Sequence, residues 1–214
     1  MTFSCGNVFA EANAKLLITI MKERNAVHPG AISSFFEVKD TWCCPSCHRS
    51  KAEQARLDKN DNLMCALHWH HDHMVHAARD RLPAPIEINW NERHGFESLV
   101  STFHRFPDTL ICNDCNVIEG DAKKKVGAPA AFSFSPFEIS TFIIVMNNKP
   151  HGLDLAKARV TWANLFPSLS NYRDNLKQIT NYDNAEPDSF EQIGGAAWRV
   201  LKDIRKKMNE NKDQ

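Results

Sequence analysis

The amino-acid sequence predicts an α+β fold, in which a small core of short strands and one helix lies between an N-terminal helix and a helical C-terminal region. Three observations lead to this prediction. Two Cys-x-x-Cys pairs enclose the middle of the 214-residue chain, the segments after the first pair have an extended pattern, and the flanking parts carry apolar residues at helical spacing. The domain bounds that we expect are 1–40, 41–126 and 127–214.

The composition is that of a globular protein. Apolar residues make up 43% of the chain and charged residues 24%, which excludes disordered, collagenous and fibrous classes. The longest apolar run, over residues 16–21, is far shorter than the roughly 18 residues that a membrane span needs, and no secretory signal is recognised. We therefore expect a cytoplasmic protein without a membrane partner.

The charges are balanced, with 26 basic and 26 acidic residues. Most proteins that bind phosphate backbones show a basic excess. The balance therefore gives no support to indiscriminate nucleic-acid binding, and any such function must depend on a local site.

The elements of the first half follow from periodicity and turn chemistry. Apolar spacing predicts a helix over 9–24, which ends before a Pro-Gly break, and a short second helix over 31–38. Turn-forming residues at 58–62 predict a hairpin between extended segments at 54–57 and 63–73.

The second half changes in character after residue 126. A strand over 108–112 precedes the second cysteine pair and a helix over 116–125 follows it, while residues 74–109 form an insertion. Ser135 and Glu138 form a capping box with a proline at the first helical position, which predicts that a helix begins there. Further helical segments are expected over 74–81, 91–105, 154–166, 170–182 and 189–207.

The seven cysteines indicate a metal site. A disulfide framework is not expected in a reducing cytosol, whereas two Cys-x-x-Cys pairs supply the four thiolates of a closed tetrahedral zinc site. The predicted zinc ligands are Cys44, Cys47, Cys112 and Cys115. Cys43 adjoins the first pair and is an alternative ligand to Cys44; a redox dithiol is the other use of this spacing. We interpret Cys5 and Cys65 as small buried hydrophobic residues.

The densest chemistry lies in residues 67–76, where five histidines and an aspartate occur together. Such a cluster more often binds a metal or moves protons than it packs. The alternatives are a second structural metal site and an accidental histidine tract. Trp69 is expected to support the strand by packing. A zinc-fixed helix that opens with Asn116 and Glu119 follows the second pair, and together these parts form a small ββα unit with a metal.

Two segments resemble the HNH, or ββα-metal, endonuclease superfamily, and within it phage recombination endonuclease VII and the zinc-bound restriction endonucleases. They are His68-Trp69-His70-His71-Asp72-His73 and Cys112-Asn113-Asp114-Cys115-Asn116-Val117-Ile118-Glu119-Gly120. The resemblance covers residues 42–125 and is specific as a set of motifs. It implies a ββα-metal core, a structural Zn²⁺ and one catalytic Mg²⁺ or Mn²⁺.

The resemblance also implies roles for individual residues, in two alternative registers. In the first, His71 is the general base and His70 a ligand of the catalytic ion; in the second, Asp72 is the ligand and His73 the base. Asn116 binds the ion in both registers, and Glu119 is a supporting residue. The sequence slightly favours His71, because it matches the longer motif.

Candidate phosphate contacts lie near the predicted site, although each could equally belong to a solvated charged face. They are Arg49, Lys51, Arg79, Arg81, Lys123 and Lys124, with Lys125 beside them. The expected function is hydrolysis of double-stranded DNA in restriction, anti-phage defence or junction cleavage, with a homodimer expected for double-strand cuts. The alternatives are a non-catalytic zinc module that binds nucleic acid or protein and, more weakly, an RNA-cutting toxin.

Overall fold

The structure is a computed structural model that describes residues 9–75 and 104–166. The helices predicted over 170–182 and 189–207, nearly all of the one over 91–105, and Cys5, Arg79 and Arg81 lie outside the described residues. Within the described residues, groups of helices and groups of short antiparallel strands follow one another along the chain, which confirms the mixed α+β class.

The described residues divide into two compact units. The first contains 9–71 and 108–163, and the second contains 72–75, 104–107 and 164–166. The sequence placed a boundary after residue 126, but the chain as far as residue 163 belongs to the first unit. The physical reason is that Met146 accepts a hydrogen bond from Arg49 beside the first cysteine pair, and Phe134 donates one to Glu119 on the helix that carries Cys115.

Helix α1 spans Ala10–Arg24, as predicted, and ends at Asn25 in the left-handed conformation (φ 56°). Its buried residues Leu17 and Ile20 pack into a core cluster with Phe35 and Leu63. The short helix predicted over 31–38 is wrong, because these residues form turns.

The reason lies in where the backbone of that segment bonds. The carbonyls of Ala31 and Ser33 accept the N–H groups of Cys65 and Leu67, at 2.8 Å each. These carbonyls bond to a neighbouring extended segment and not to N–H groups of their own segment. Pairing across the fold therefore replaces the predicted local helix.

The predicted hairpin is present but shorter than expected. Strands β1, Arg56–Leu57, and β2, Leu63–Met64, pair antiparallel with Arg56 opposite Met64. In the turn, the Asp58 carboxylate accepts the N–H groups of Asn60 and Asn62. This is the local bonding that makes Asp and Asn frequent turn residues.

Strand β3, Leu67–His70, pairs antiparallel with β4, Thr109–Cys112, with His70 opposite Thr109. Helix α3, Asn113–Val126, follows β4 directly and ends at Gly127 (φ 72°). It begins three residues earlier than predicted, so Cys115 lies in its first turn. β3 ends at His70 rather than at His73, because residues 73–75 are helical.

The segment after α3 packs as an aromatic layer in the first unit. The predicted capping box is present: Ser135 and Glu138 cap helix α4, Pro136–Phe142. Strands β5, Ile143–Ile144, and β6, Gly152–Leu153, then pair antiparallel, and residues 155–166 are helical. Phe134 contacts the rings of Phe132 and Phe142 edge-on, with centroids 4.8 and 5.0 Å apart. Among the described residues, no helix has the length and apolar character to cross a membrane.

Lys51 is a buried structural cation. Helix α2, Lys51–Gln54, begins with a capping box of Ser50 and Glu53. The Lys51 side chain is 0% exposed, and burial lowers its pKa to about 8. Its ammonium donates to Asn13 Oδ1 at 2.5 Å, to the Phe35 carbonyl at 2.6 Å and to a third carbonyl at 3.0 Å. This corrects the expectation that Lys51 contacts DNA phosphate.

We expect Lys51→Met to lower the free energy of unfolding by about 2–3 kcal/mol, because buried acceptors lose a charged donor. Urea unfolding followed by circular dichroism measures the change. The exposed Lys59 at the hairpin turn provides the control, and Lys59→Met should be close to neutral. Equal stability of the two variants would contradict the structural role of Lys51.

Candidate metal centre

The two predicted cysteine pairs meet in one buried cluster. One sulfur from each of Cys44, Cys47, Cys112 and Cys115 lies within 4.8 Å of all the others. The Cys44 and Cys115 sulfurs are 3.8 Å apart, and those of Cys47 and Cys112 are 3.7 Å apart. A tetrahedral zinc site with Zn–S bonds of about 2.3 Å has sulfur–sulfur edges of about 3.8 Å. The four cysteines therefore fit a metal such as zinc.

Local backbone structure positions the ligands. The first pair lies on a tight turn closed by the Cys44 N–H, which donates to the Arg49 carbonyl at 2.9 Å, and by His48 in the left-handed conformation (φ 59°). The second pair spans the end of β4 and the first turn of α3. The Cys112 N–H donates to the Cys44 sulfur at 3.3 Å, which links the two turns.

The other described cysteines lie outside the cluster. Cys43 is exposed and its thiol lies 3.8 Å from the Thr41 carbonyl, so Cys44 is the residue that joins the cluster. Cys65 is 3% exposed, and burial raises the pKa of its thiol to about 12. This agrees with its interpretation as a small hydrophobic residue.

Arg49 neutralises charge beside the cluster. Its side chain is 2% exposed, and its guanidinium donates to the Asp114 carboxylate at 2.8 Å, to the Cys112 sulfur at 3.4 Å and to the Met146 carbonyl at 2.6 Å. Four thiolates around a divalent ion carry a net charge of −2, which a buried cation offsets. Its burial corrects the expectation that Arg49 grips DNA.

His151 is a second residue beside the cluster, and the sequence offered no signal for it. It is a single histidine outside the motifs, and only the folded chain brings it to the cysteines. Although burial opposes its charged form, interaction with the sulfurs of Cys112 and Cys47 raises the pKa of His151 to about 9. In its neutral form the ring can accept the Met146 N–H at Nδ1, which lies 3.2 Å away.

Arg49→Met is expected to weaken zinc binding by about 10- to 100-fold, as loss of a supporting partner does at metal sites. A chelator competition with a zinc-responsive dye measures this affinity. Arg159 is exposed on the last described helix, so Arg159→Met provides the matched control. An unchanged zinc affinity in Arg49→Met would show that the ion pair between Arg49 and Asp114 contributes to packing and not to zinc binding.

The histidine strand ends in a fixed imidazole. His70 is 5% exposed, and its Nε2 lies 2.6 Å from the Phe134 carbonyl. A carbonyl only accepts hydrogen bonds, so Nε2 is the donor; when the ring is neutral, the lone pair is therefore on Nδ1. The Phe134 N–H donates to Glu119 Oε1 at 3.1 Å. One residue thus connects the end of β3 with helix α3.

Glu119 is a buried carboxyl on α3. It is 5% exposed, and burial raises its pKa. The Lys123 ammonium lies 3.5 Å from its Oε1 and donates to the Phe132 carbonyl at 2.9 Å. Lys123 is therefore half-buried and engaged inside the fold, whereas Lys124 and Lys125 are exposed.

The remaining predicted residues are distributed between the two units. His71 directly follows β3 and Asn116 lies in the second turn of α3; both are half-buried, and β3 and α3 pack together. Trp69 is 56% exposed and its indole N–H donates to Glu37 at 3.1 Å, so its expected role as packing beneath the strand is wrong.

In the second unit, Asp72 bonds to backbone. Its carboxylate accepts the Met74 N–H at 3.0 Å and the Arg105 N–H at 2.9 Å. Each carboxylate oxygen of Asp72 therefore accepts one backbone hydrogen bond within the second unit. His73 begins the helical residues 73–75.

Comparison of the chain with protein-family models, with curated proteins and with solved structures finds no match. The fold is mixed α+β, and its four buried cysteines lie close enough together to hold a metal ion such as zinc.

Proposed function

We propose that this protein is a metal-dependent DNA endonuclease of the HNH class. The observation that carries the proposal is the His70 imidazole, held at the end of β3 in a single tautomer by the Phe134 carbonyl. Phe134 also bonds to Glu119 on α3. Histidines that bind a metal usually donate their other ring N–H to a backbone carbonyl or a carboxylate, and His70 makes such a bond.

The order of elements supports this class. β3, β4 and α3 follow one another as two antiparallel strands and a helix. The cysteine cluster joins β4 and α3 at Cys112 and Cys115. A zinc ion there would do no chemistry, but would keep the histidine strand and the helix in register.

The residues proposed to hold the catalytic ion are His70 and Asn116, the latter through its side-chain oxygen. Oxygen ligands suit Mg²⁺, and an imidazole ligand also suits Mn²⁺. When bound, such an ion would neutralise charge on the scissile phosphate and stabilise the leaving oxygen.

His71 is the proposed general base. Its neutral imidazole would accept a proton from a water molecule as the water oxygen bonds to phosphorus. The bond from phosphorus to the 3′ oxygen then breaks, and that oxygen takes up a proton. The alternative register is less well supported, because the Asp72 carboxylate that it needs as a ligand accepts two backbone N–H groups.

The proposed substrate is double-stranded DNA, in the setting of restriction or anti-phage defence in the cytoplasm. Exposed Lys124 and Lys125 near the end of α3 are the proposed phosphate contacts among the described residues. Cutting both strands with a single-ion site needs two active sites, so we propose a homodimer.

A non-catalytic zinc module is the second candidate, because His70 and Glu119 also brace Phe134. Plasmid nicking with Mg²⁺ or Mn²⁺ separates the two candidates. The proposal requires nicking that is lost in His71→Ala. Purified protein that cuts neither modified nor unmodified plasmid would favour the module, and degradation of RNA alone would favour an RNA-cutting toxin.

A further inference from the structure

The outer face of helix α3 carries a glycine that the described fold does not require. Gly120 lies in the interior of Asn113–Val126 with ordinary helical backbone, unlike Gly127, whose φ is 72°. No atom of the described residues lies within 4 Å of a Cβ built at Gly120. A residue that favours a helix would therefore fit at this position, and alanine would stabilise the helix more than glycine does.

Gly120 lies at the centre of the exposed face of α3. With 3.6 residues per turn, residues three or four apart lie on the same side of a helix. Val117, which is 53% exposed, and the exposed Lys124 flank Gly120 on this side. The buried residues of α3 lie on the opposite side; they are Asp114, Cys115, Ile118, Glu119 and Ala122. The glycine is thus a gap in a surface that faces away from the core of the first unit.

Gly120 also lies midway between two residues of the proposed nuclease site. Asn116, the proposed ligand of the catalytic ion, lies about one turn before it, and Lys124, a proposed phosphate contact, lies about one turn after it. Each step is four residues, which is about 6 Å along the helix axis. A DNA strand whose scissile phosphate is at the ion and whose next contact is Lys124 must pass over Gly120.

The charge of this face favours a phosphate backbone as its partner. Lys124 and Lys125 are exposed near the end of α3. The carboxylates of Asp114 and Glu119 are buried on the other side of the helix, each with a basic side chain within 3.5 Å. Asp121, at the edge of the exposed face, is half-buried. The charge that α3 presents to solvent is therefore mainly positive, which suits the phosphates of DNA.

We infer that one DNA strand lies along the outer face of α3 beside the cut, and that Gly120 is a positioning residue that lets the sugar–phosphate backbone come close to the helix. The inference rests on the proposed nuclease function. Glycine is suited to a close approach between a backbone and a ligand, because it has no side chain to hold the ligand away. A side chain at this position would stand between Asn116 and Lys124 and would displace the strand from one or both.

Gly120→Ala and Gly120→Met test the inference, because they change stability and DNA binding in opposite directions. Both place better helix formers in open space, so the midpoint of thermal unfolding should rise by about 2–4 °C. Both should weaken DNA binding, with the larger effect in Gly120→Met. Ala12 is exposed on α1, and Ala12→Met is the matched control for an added methionine side chain.

The readout is the affinity for a DNA duplex in the His71→Ala background, measured by fluorescence anisotropy and independent of cleavage. We expect Gly120→Met to weaken binding about tenfold, the scale of a steric overlap in a packed contact, whereas Ala12→Met leaves the affinity unchanged. Lys124→Met should also weaken binding, but by a smaller factor when Gly120→Met is present, because a displaced strand no longer reaches Lys124.

Equal affinity with and without Gly120→Met overturns the positioning role of Gly120 even if the wild type nicks plasmid. A lower thermal midpoint in Gly120→Ala also overturns it, because the fold would then need the glycine. Conversely, weaker binding in Gly120→Met together with a wild type that never cuts DNA supports the DNA surface and contradicts the proposed hydrolysis. If Gly120→Met instead converts a dimer into a monomer, as measured by mass in solution, the face is an interface between copies and the DNA surface is refuted.

Discussion

Replacement of His71 by alanine is expected to lower the rate of plasmid nicking by about 100- to 10,000-fold, the usual contribution of a general base. His71 is half-buried and follows the end of β3, so its truncation should leave the fold and the metal content intact. The measurement is the initial rate of conversion of supercoiled to nicked plasmid in Mg²⁺ or Mn²⁺, with circular dichroism as the test of folding.

The controls decide between the two registers. His28 is exposed and remote in sequence from the motif, so His28→Ala should retain full activity. Asn116→Ala should be as inactive as His71→Ala, because both registers use Asn116. If His73→Ala lost nicking activity and His71→Ala kept it, His73 would be the general base. Equal nicking rates in all variants would refute hydrolysis at this site.

Loss of the zinc ligands is expected to have the largest effect on stability. Structural zinc in small domains contributes about 10–16 kcal/mol of apparent binding free energy, whereas domains have total stabilities of about 5–15 kcal/mol. Cys112→Ser and Cys115→Ser should therefore bind no zinc and lose cooperative unfolding. Elemental analysis of the wild type should give one zinc per chain.

Cys43→Ser is the matched control for this prediction, because Cys43 is exposed next to the cluster but outside it. It should keep the zinc and the unfolding transition of the wild type. If Cys43→Ser lost its zinc and Cys44→Ser kept it, the zinc ligand would be Cys43 and not Cys44. Wild-type protein that remains folded without any metal would contradict the structural role of the site.

The features that the sequence predicted well are those with local causes. The capping box of Ser135 and Glu138, the α1 periodicity and the turn residues after Asp58 each act within a few positions of the chain. The cysteine site could be predicted for a similar reason. Each short turn presents two thiols, and four thiolates are the ligand set of one zinc ion.

Other features depend on partners distant in the chain. Arg49 and Lys51 have the pattern of surface cations, but their donors meet carbonyls and a carboxylate from segments up to 100 residues away. The segment 31–38 has some helical character, yet its carbonyls pair with the strand region at Cys65 and Leu67. Spacing along the sequence contains no information about such pairings.

By itself, the sequence determined the candidate ligands, the histidine strand and the helix that carries Asn116, because each depends on residue type and short spacing. Only the tertiary structure decided that Cys44 and not Cys43 joins the cluster, that His151 and Arg49 lie beside the sulfurs, and that Phe134 sets the tautomer of His70. The physical reason is that burial and hydrogen-bond partners are properties of the folded chain, and they decide whether a charged or titratable side chain supports the fold or can take part in chemistry.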